Sequence, residues 1–122
     1  MYETKAELFR ALGDPTRLRI LALLRVRQAC VCELVELLPI SQPAVSQHLR
    51  KLKQVGLVSE RRQKYWTYYA LRDDLPPAVR ELVRDLPRVA DQEEWLNAHR
   101  VDIVCPTLPN SDASPLLTIT GG

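Results

Sequence analysis

Glycine is scarce: the 122-residue chain has four, and two of these are the terminal pair Gly121 and Gly122. That excludes a glycine-rich phosphate-cradling loop. Histidine is scarcer still, with two residues, and there is one phenylalanine. No apolar run approaches the roughly 20 residues that span a bilayer, since even Ile20 to Leu24 is flanked by Arg19 and Arg25. The opening MYETKAELFR carries acids and no apolar signal core, so the expected location is cytoplasmic, with no membrane partner. Three cysteines are too few, and odd in number, for a disulfide framework, which fits thiols kept reduced. No Ser/His/Asp set or carboxylate pair stands out, so no catalysis is expected.

What the chain does have is an uneven charge. Its net charge is +2, yet Ser41 to Trp66 holds Arg50, Lys51, Lys53, Arg61, Arg62 and Lys64 against the single acid Glu60. A basic segment on a near-neutral protein fits a polyanion partner, or else a solvated helix face. With 46% hydrophobic and 26% charged residues the composition is that of a globular chain of one domain.

Punctuation and periodicity then order the chain. Residues 3–11 read as a helix with Leu8, Phe9 and Leu12 on one stripe. Gly13-Asp14-Pro15 supplies a break, a cap and a first-turn proline for a mostly buried helix from Thr16 to about Val26. A third helix covers about Val31 to Leu38 and stops at Pro39. Ser41 caps a fourth, in which Val45, Leu49 and Leu52 fall at i, i+4 and i+7, with Gly56 beyond its end. LVSERRQKYWTYYAL has the composition of a hairpin with its break at Arg61 to Lys64. Asp73 or Asp74 is expected to start another helix carrying Val79, Leu82, Val83 and Leu86, broken at Pro87 and resumed from Ala90 to about His99. The expected fold class is mainly α with a β-hairpin wing: a dimeric winged helix-turn-helix over residues 1–101, followed by a flexible tail over 102–122.

With Val45 facing inward, a rotation of 100° per residue puts Gln47, Arg50, Lys51 and Gln54 outward, Ser46 and Lys53 on the flanks, and Ser41 and Gln42 at the N-terminal end. Gln and Ser bond base edges in a major groove, and Arg and Lys reach guanine or phosphate. Arg61, Arg62 and Lys64 are expected at the wing tip, on the backbone or in a minor groove. His48 is expected to pack inward beside Leu49.

Cys30-Val31-Cys32-Glu33-Leu34 opens the third helix. A helix N-terminus favours thiolate, the form that binds soft ions, whereas a buried thiol is otherwise a small hydrophobe; spacing alone leaves both readings open. Residues i and i+2 of a regular helix project about 200° apart, so two thiolates there converge on one ion only if the first turn distorts. An ion that distorts this turn has different affinities for the DNA-competent and incompetent forms.

ALGDPTRLRILALL, CVCEL, SQPAVSQHLRKLKQVGLV and a wing ending YYAL, together spanning about residues 4–86, resemble the ArsR/SmtB family of metal-responsive winged-helix repressors. The resemblance implies a homodimer built on the first and last helices, here through Leu8, Phe9, Leu12, Val79, Leu82, Val83 and Leu86, bound to double-stranded DNA with an inverted-repeat operator. The Cys-Val-Cys-Glu-Leu motif is similar to the family's arsenic-sensing site, which implies release by arsenite or antimonite at Cys30 and Cys32, with no cofactor needed for folding. Members with this motif often carry a third cysteine where this chain has Val35, which leaves Cys105 of the same or the partner chain, an external thiol, or binding by the two thiolates alone. Cadmium and lead sites in the family add cysteines near the N-terminus, and residues 1–29 contain none; zinc sites use an Asp-x-His pair absent among Asp85, Asp91, Glu93, Glu94 and His99. Oxidant sensing, or another thiophilic ion such as cadmium or lead, is the alternative reading of the thiols. A thiol-disulfide enzyme lacks its Cys-x-x-Cys spacing here, and a wing that binds only protein would show no salt-dependent duplex binding.

Overall fold

The computed structural model describes residues 1–98. Asp14 ends the first connection: its side chain accepts from the Arg17 backbone N–H at 3.0 Å, and Pro15 occupies the first helical position. This junction separates α1 (Tyr2–Leu12) from α2 (Pro15–Val26). Ile20, Leu21, Leu23 and Leu24 are all buried, so α2 runs through the middle of the molecule rather than along its surface. Around it follow β1 (Ala29–Cys30), α3 (Val31–Leu37), α4 (Gln42–Gln54), β2 (Val58–Gln63), β3 (Trp66–Leu71), α5 (Pro77–Arg84) and α6 (Ala90–Ala98).

Ser41 caps α4 by accepting from the Ala44 N–H, and Val45, Leu49 and Leu52 bury one face of it completely. Removing any one of those leucines would cost about 2–5 kcal/mol. The C-terminal end closes as a Schellman motif: the Leu57 N–H donates to the Leu52 carbonyl and the Gly56 N–H to that of Lys53, with Gly56 at φ 82°. The chain leaves in the direction that starts β2.

The sheet has three antiparallel strands in the order β1-β3-β2. The two-residue β1, which the sequence did not announce, pairs Ala29 with Tyr69 and Cys30 with Tyr68. Arg61 and Arg62 lie within β2, opposite Tyr68 and Thr67, and are not at the wing tip. The turn is Lys64-Tyr65, with Lys64 at φ 56°. The polar run misplaced the break because a solvent-facing edge strand tolerates charge as readily as a turn does.

The last helices also differ from expectation. Pro76, not Asp73 or Asp74, stands at the N-cap of α5; Asp74 instead pairs with Arg72. The helix ends at Arg84, so Leu86 lies beyond it, partly buried against the core. Arg25 explains the early stop. Its guanidinium donates to the carbonyls of Val83 (2.8 Å), Arg84 (3.4 Å), Leu86 (2.9 Å) and Pro87 (3.4 Å), and approaches Glu93 at 3.8 Å. One side chain of α2 thus takes up the carbonyls a helix end leaves unpaired. No helix among the described residues is long and apolar enough to cross a membrane.

Candidate nucleic-acid interface and thiol site

Opposite the buried stripe of α4, the side chains of Ser41, Gln42, Gln47, Arg50, Lys53 and Gln54 are exposed, and Ser46 and Lys51 are half-buried on the flanks. The eight residues therefore share one solvent-facing surface with the helix N-terminus. They are not equivalent. Lys53 Nζ pairs with Glu60 of β2, whose other carboxylate oxygen accepts from the Tyr69 hydroxyl at 3.4 Å. The Lys53 hydrogen bond holds the Glu60 carboxyl below its ordinary value, and burial, followed by Glu60, raises Tyr69. Lys53 is thus partly neutralised and ties α4 to the wing, whereas Arg50 has no such acid beside it among the described ion pairs.

The wing divides its cations between two faces, as strand alternation requires. Arg62 shares the Glu60 face, and Arg61 turns to the other, where its Nη2 donates to Gln28 Oε1 at 2.9 Å. On that second face Gln28, Ser59, Arg61, Tyr68, Arg72 and Asp74 line an open groove of about 540 Å³. His48 is half-buried rather than in the core. Its Nδ1 lies 3.3 Å from Arg17 Nη1, and because arginine only donates, Nδ1 is the acceptor.

Cys30 and Cys32 are both reduced; Cys30 is buried and Cys32 half-buried. Cys30 is the N-cap of α3 and at the same time the last residue of β1, so it belongs to the helix-turn-helix and to the wing sheet at once. It packs with Tyr68, and Cys32 and Trp66 lie against that pair. The i, i+2 argument from a regular helix therefore does not hold for Cys30, whose extended backbone (φ −95°, ψ 169°) stands outside the helical turn. Among the described residues no group of three or more His, Cys, Asp and Glu is placed to hold a metal ion. Cys105, the proposed third thiol, lies outside the described residues, as do His99 and the tail over 102–122.

Glu33 is fully buried in the turn that follows. It accepts from Arg27 Nη1 at 3.0 Å and Nη2 at 2.5 Å, and from the Cys30 backbone N–H at 3.1 Å. Arg27 also donates to the Leu96 carbonyl of α6 at 2.9 Å and to that of Gln28 at 2.6 Å. The sequence carried one signal for this, an acid three residues after a helix start, which is the capping-box position.

Residues 14–60 match the family described as bacterial regulatory protein, arsR family. The chain is 37% identical over 116 residues to the arsenic resistance transcriptional regulator ArsR2 of Pseudomonas putida, covering 93% of each chain. It is 37% identical over 89 residues to the arsenical resistance operon repressor of Escherichia coli, covering 72% of this chain and 75% of that one. The chain belongs to the arsR family. Among solved structures, the homodimeric winged helix-turn-helix DNA-binding domain of a possible ArsR-family regulator from Mycobacterium bovis superposes with a TM-score of 0.60 at 29% identity, over 81% of this chain and 87% of that one. As an arsR-family chain it is a DNA-binding transcriptional regulator with the winged helix-turn-helix fold, not an enzyme.

The seven apolar residues expected at a dimer interface do not all remain on the surface of this arsR-family chain. Leu12, Val79 and Val83 are buried in its own core, and Leu8 and Leu86 pack against it. Phe9, 67% exposed, and Leu82, 39% exposed, stay outside, together with Tyr2 and Val89. Two terminal helices around a central one use more of their own apolar face than periodicity alone suggests.

Proposed function

We propose that this chain is a homodimeric repressor of a metalloid-resistance operon, bound to an inverted-repeat operator and released when arsenite or antimonite binds Cys30 and Cys32. Residues 1–101 form the DNA-binding and dimerisation unit in this reading. Ser41, Gln42, Ser46, Gln47, Arg50, Lys51 and Gln54 face DNA from α4, Lys64 from the wing turn and Arg62 from β2. Phe9 and Leu82 meet the second copy, with two reading helices one DNA turn, about 34 Å, apart.

One observation carries the proposal: two thiols separated by a single residue sit at the seam where β1 becomes α3, and one of them is bonded into the wing sheet. The donor set suits a soft ion, since both groups are sulfur and neither is tied up in a disulfide. An ion held by both sulfurs pulls on Cys30, and with it on the start of α3 and on β1 where it pairs with β3. Residues that differ in position between two states give a ligand its differential affinity, which linkage converts into loss of DNA affinity. The relatives' names support the choice of arsenic.

An end-labelled inverted-repeat duplex bound by the protein is challenged separately with arsenite, antimonite, cadmium, zinc and peroxide. Release by the two metalloids, and its loss in Cys32→Ser with operator binding kept, is the expected result. Release by peroxide alone turns the thiols into an oxidant sensor, and release undiminished in Cys32→Ser removes them from the mechanism.

A further inference from the structure

Trp66 has a buried indole nitrogen, Nε1, with no hydrogen-bond partner among the described residues. A buried donor left unpaired has lost its water partners without replacement, so it calls for an explanation. Its position supplies one. Tyr68 stands directly opposite Cys30 in the sheet, and Trp66, two residues earlier on the same strand, shares the face of Tyr68. The diagonal neighbour of a paired residue lies within reach of an aromatic side chain, and Trp66 does pack against the Cys30–Tyr68 pair, beside Cys32. The residue that carries the unpaired donor thus packs on the same Cys30–Tyr68 pair as Cys32 does. Tyr68 also lines the open groove, so the cluster borders solvent.

A two-sulfur site leaves trivalent arsenic one valence short. Arsenous acid, As(OH)₃, reacts with two thiols by exchanging two As–O bonds for two As–S bonds, and each thiol proton leaves with a hydroxide as water. One hydroxyl stays on arsenic and no oxidation state changes. We infer that Trp66 is a specificity-determining residue of the thiol site, its indole N–H donating to the oxygen that a two-thiolate metalloid retains. The inference rests on the thiol reading above and dispenses with Cys105 as a necessary ligand. It also places the recognition of the bound species on the wing itself.

Phenylarsine oxide separates this role from packing. It takes the same two thiolates but carries a phenyl group where arsenite carries its last hydroxyl, so it offers no such oxygen once bound. Titration calorimetry of the full chain with both compounds, for wild type, Trp66→Phe, Cys105→Ser and Cys32→Ser, reads each contribution. Trp66→Phe keeps an aromatic ring and is expected to weaken arsenite about 3- to 10-fold, the range for one lost hydrogen bond, while phenylarsine oxide changes less than about 2-fold. Cys105→Ser is expected to leave both unchanged. In Trp95→Phe, where Trp66 is the sole tryptophan, its emission is expected to respond to arsenite, and to stop responding when Cys32→Ser is added. Equal weakening of both compounds by Trp66→Phe, or of neither, overturns the inference while the thiol site stands. Undiminished arsenite binding by Cys32→Ser overturns the thiol site itself, and Trp66 with it.

Discussion

Arg27 holds the fully buried Glu33 with two guanidinium nitrogens and, with the same side chain, the Leu96 carbonyl of α6. Glu33 in turn accepts from the Cys30 N–H. Breaking a buried pair by removing one partner leaves an uncompensated charge, at a cost of about 3–5 kcal/mol. Arg27→Ala is expected to lose about 3 kcal/mol in urea unfolding, at the low end because the arginine is partly open to solvent. The Arg27→Met, Glu33→Leu double variant is expected to recover at least about 1 kcal/mol relative to the sum of its single changes. Additive losses would mean that the pair acts only as two separate packing groups.

On the proposed DNA-facing surface, Glu60 competes with phosphate for Lys53. Glu60→Gln is expected to tighten binding to an inverted-repeat duplex and to steepen the dependence of log K on log salt by up to about 0.9, the contribution of one phosphate contact. Lys53→Ala should change that slope less than Arg50→Ala does. Thermal stability moves little in Glu60→Gln, since exposed pairs contribute about 0–1 kcal/mol. Fluorescence anisotropy across a salt series makes the comparison.

Lys64 holds a left-handed backbone at the wing turn that costs a side-chain-bearing residue roughly 1 kcal/mol. Stability and binding are therefore expected to part ways in Lys64→Gly. The melting temperature rises, while duplex affinity falls with a shallower salt slope. A variant that melts higher and binds equally well would remove Lys64 from the DNA-facing set.

Asp14 gives a pH prediction. The Arg17 N–H bonded to its carboxylate lowers its pKa from the ordinary 3.8, so the folded state favours the ionised form. The stabilisation is complete above the unfolded value and is lost as pH falls through the lower folded one. Asp14→Ala is expected to cost about 1 kcal/mol at pH 7, the usual worth of such a cap. That difference should stay constant down to about pH 4 and shrink on further acidification; Asp14→Asn, an equally good cap, should lose much less at pH 7.

Much of this was readable in advance where one local rule acted alone. Asp14-Pro15, Ser41 and Gly56 each announce a helix end through backbone chemistry that needs no distant partner. The buried stripe of α4 followed from periodicity, and the outward set followed with it. What escaped needed contacts far apart in the chain. β1 is two residues long and exists only because β3 lies beside it. The stop of α5 depends on Arg25, nearly sixty residues earlier. Arg61 and Gln28, or Lys53 and Glu60, are partners only once the hairpin folds back. At the thiol site the motif named both cysteines, while the aromatic ring against them came from the opposite strand.

Arg25 has a mechanical consequence. By gathering the loose carbonyls after α5 and reaching Glu93, it pins both C-terminal helices to the central one. Sliding either helix along the interior would strand a half-buried cation, so the trunk of the molecule behaves as one stiff piece. In the proposed pair of copies, the gap between the two α4 helices is then set by how two solid bodies seat against each other, and any slack must come from the hairpin and the seam where β1 becomes α3.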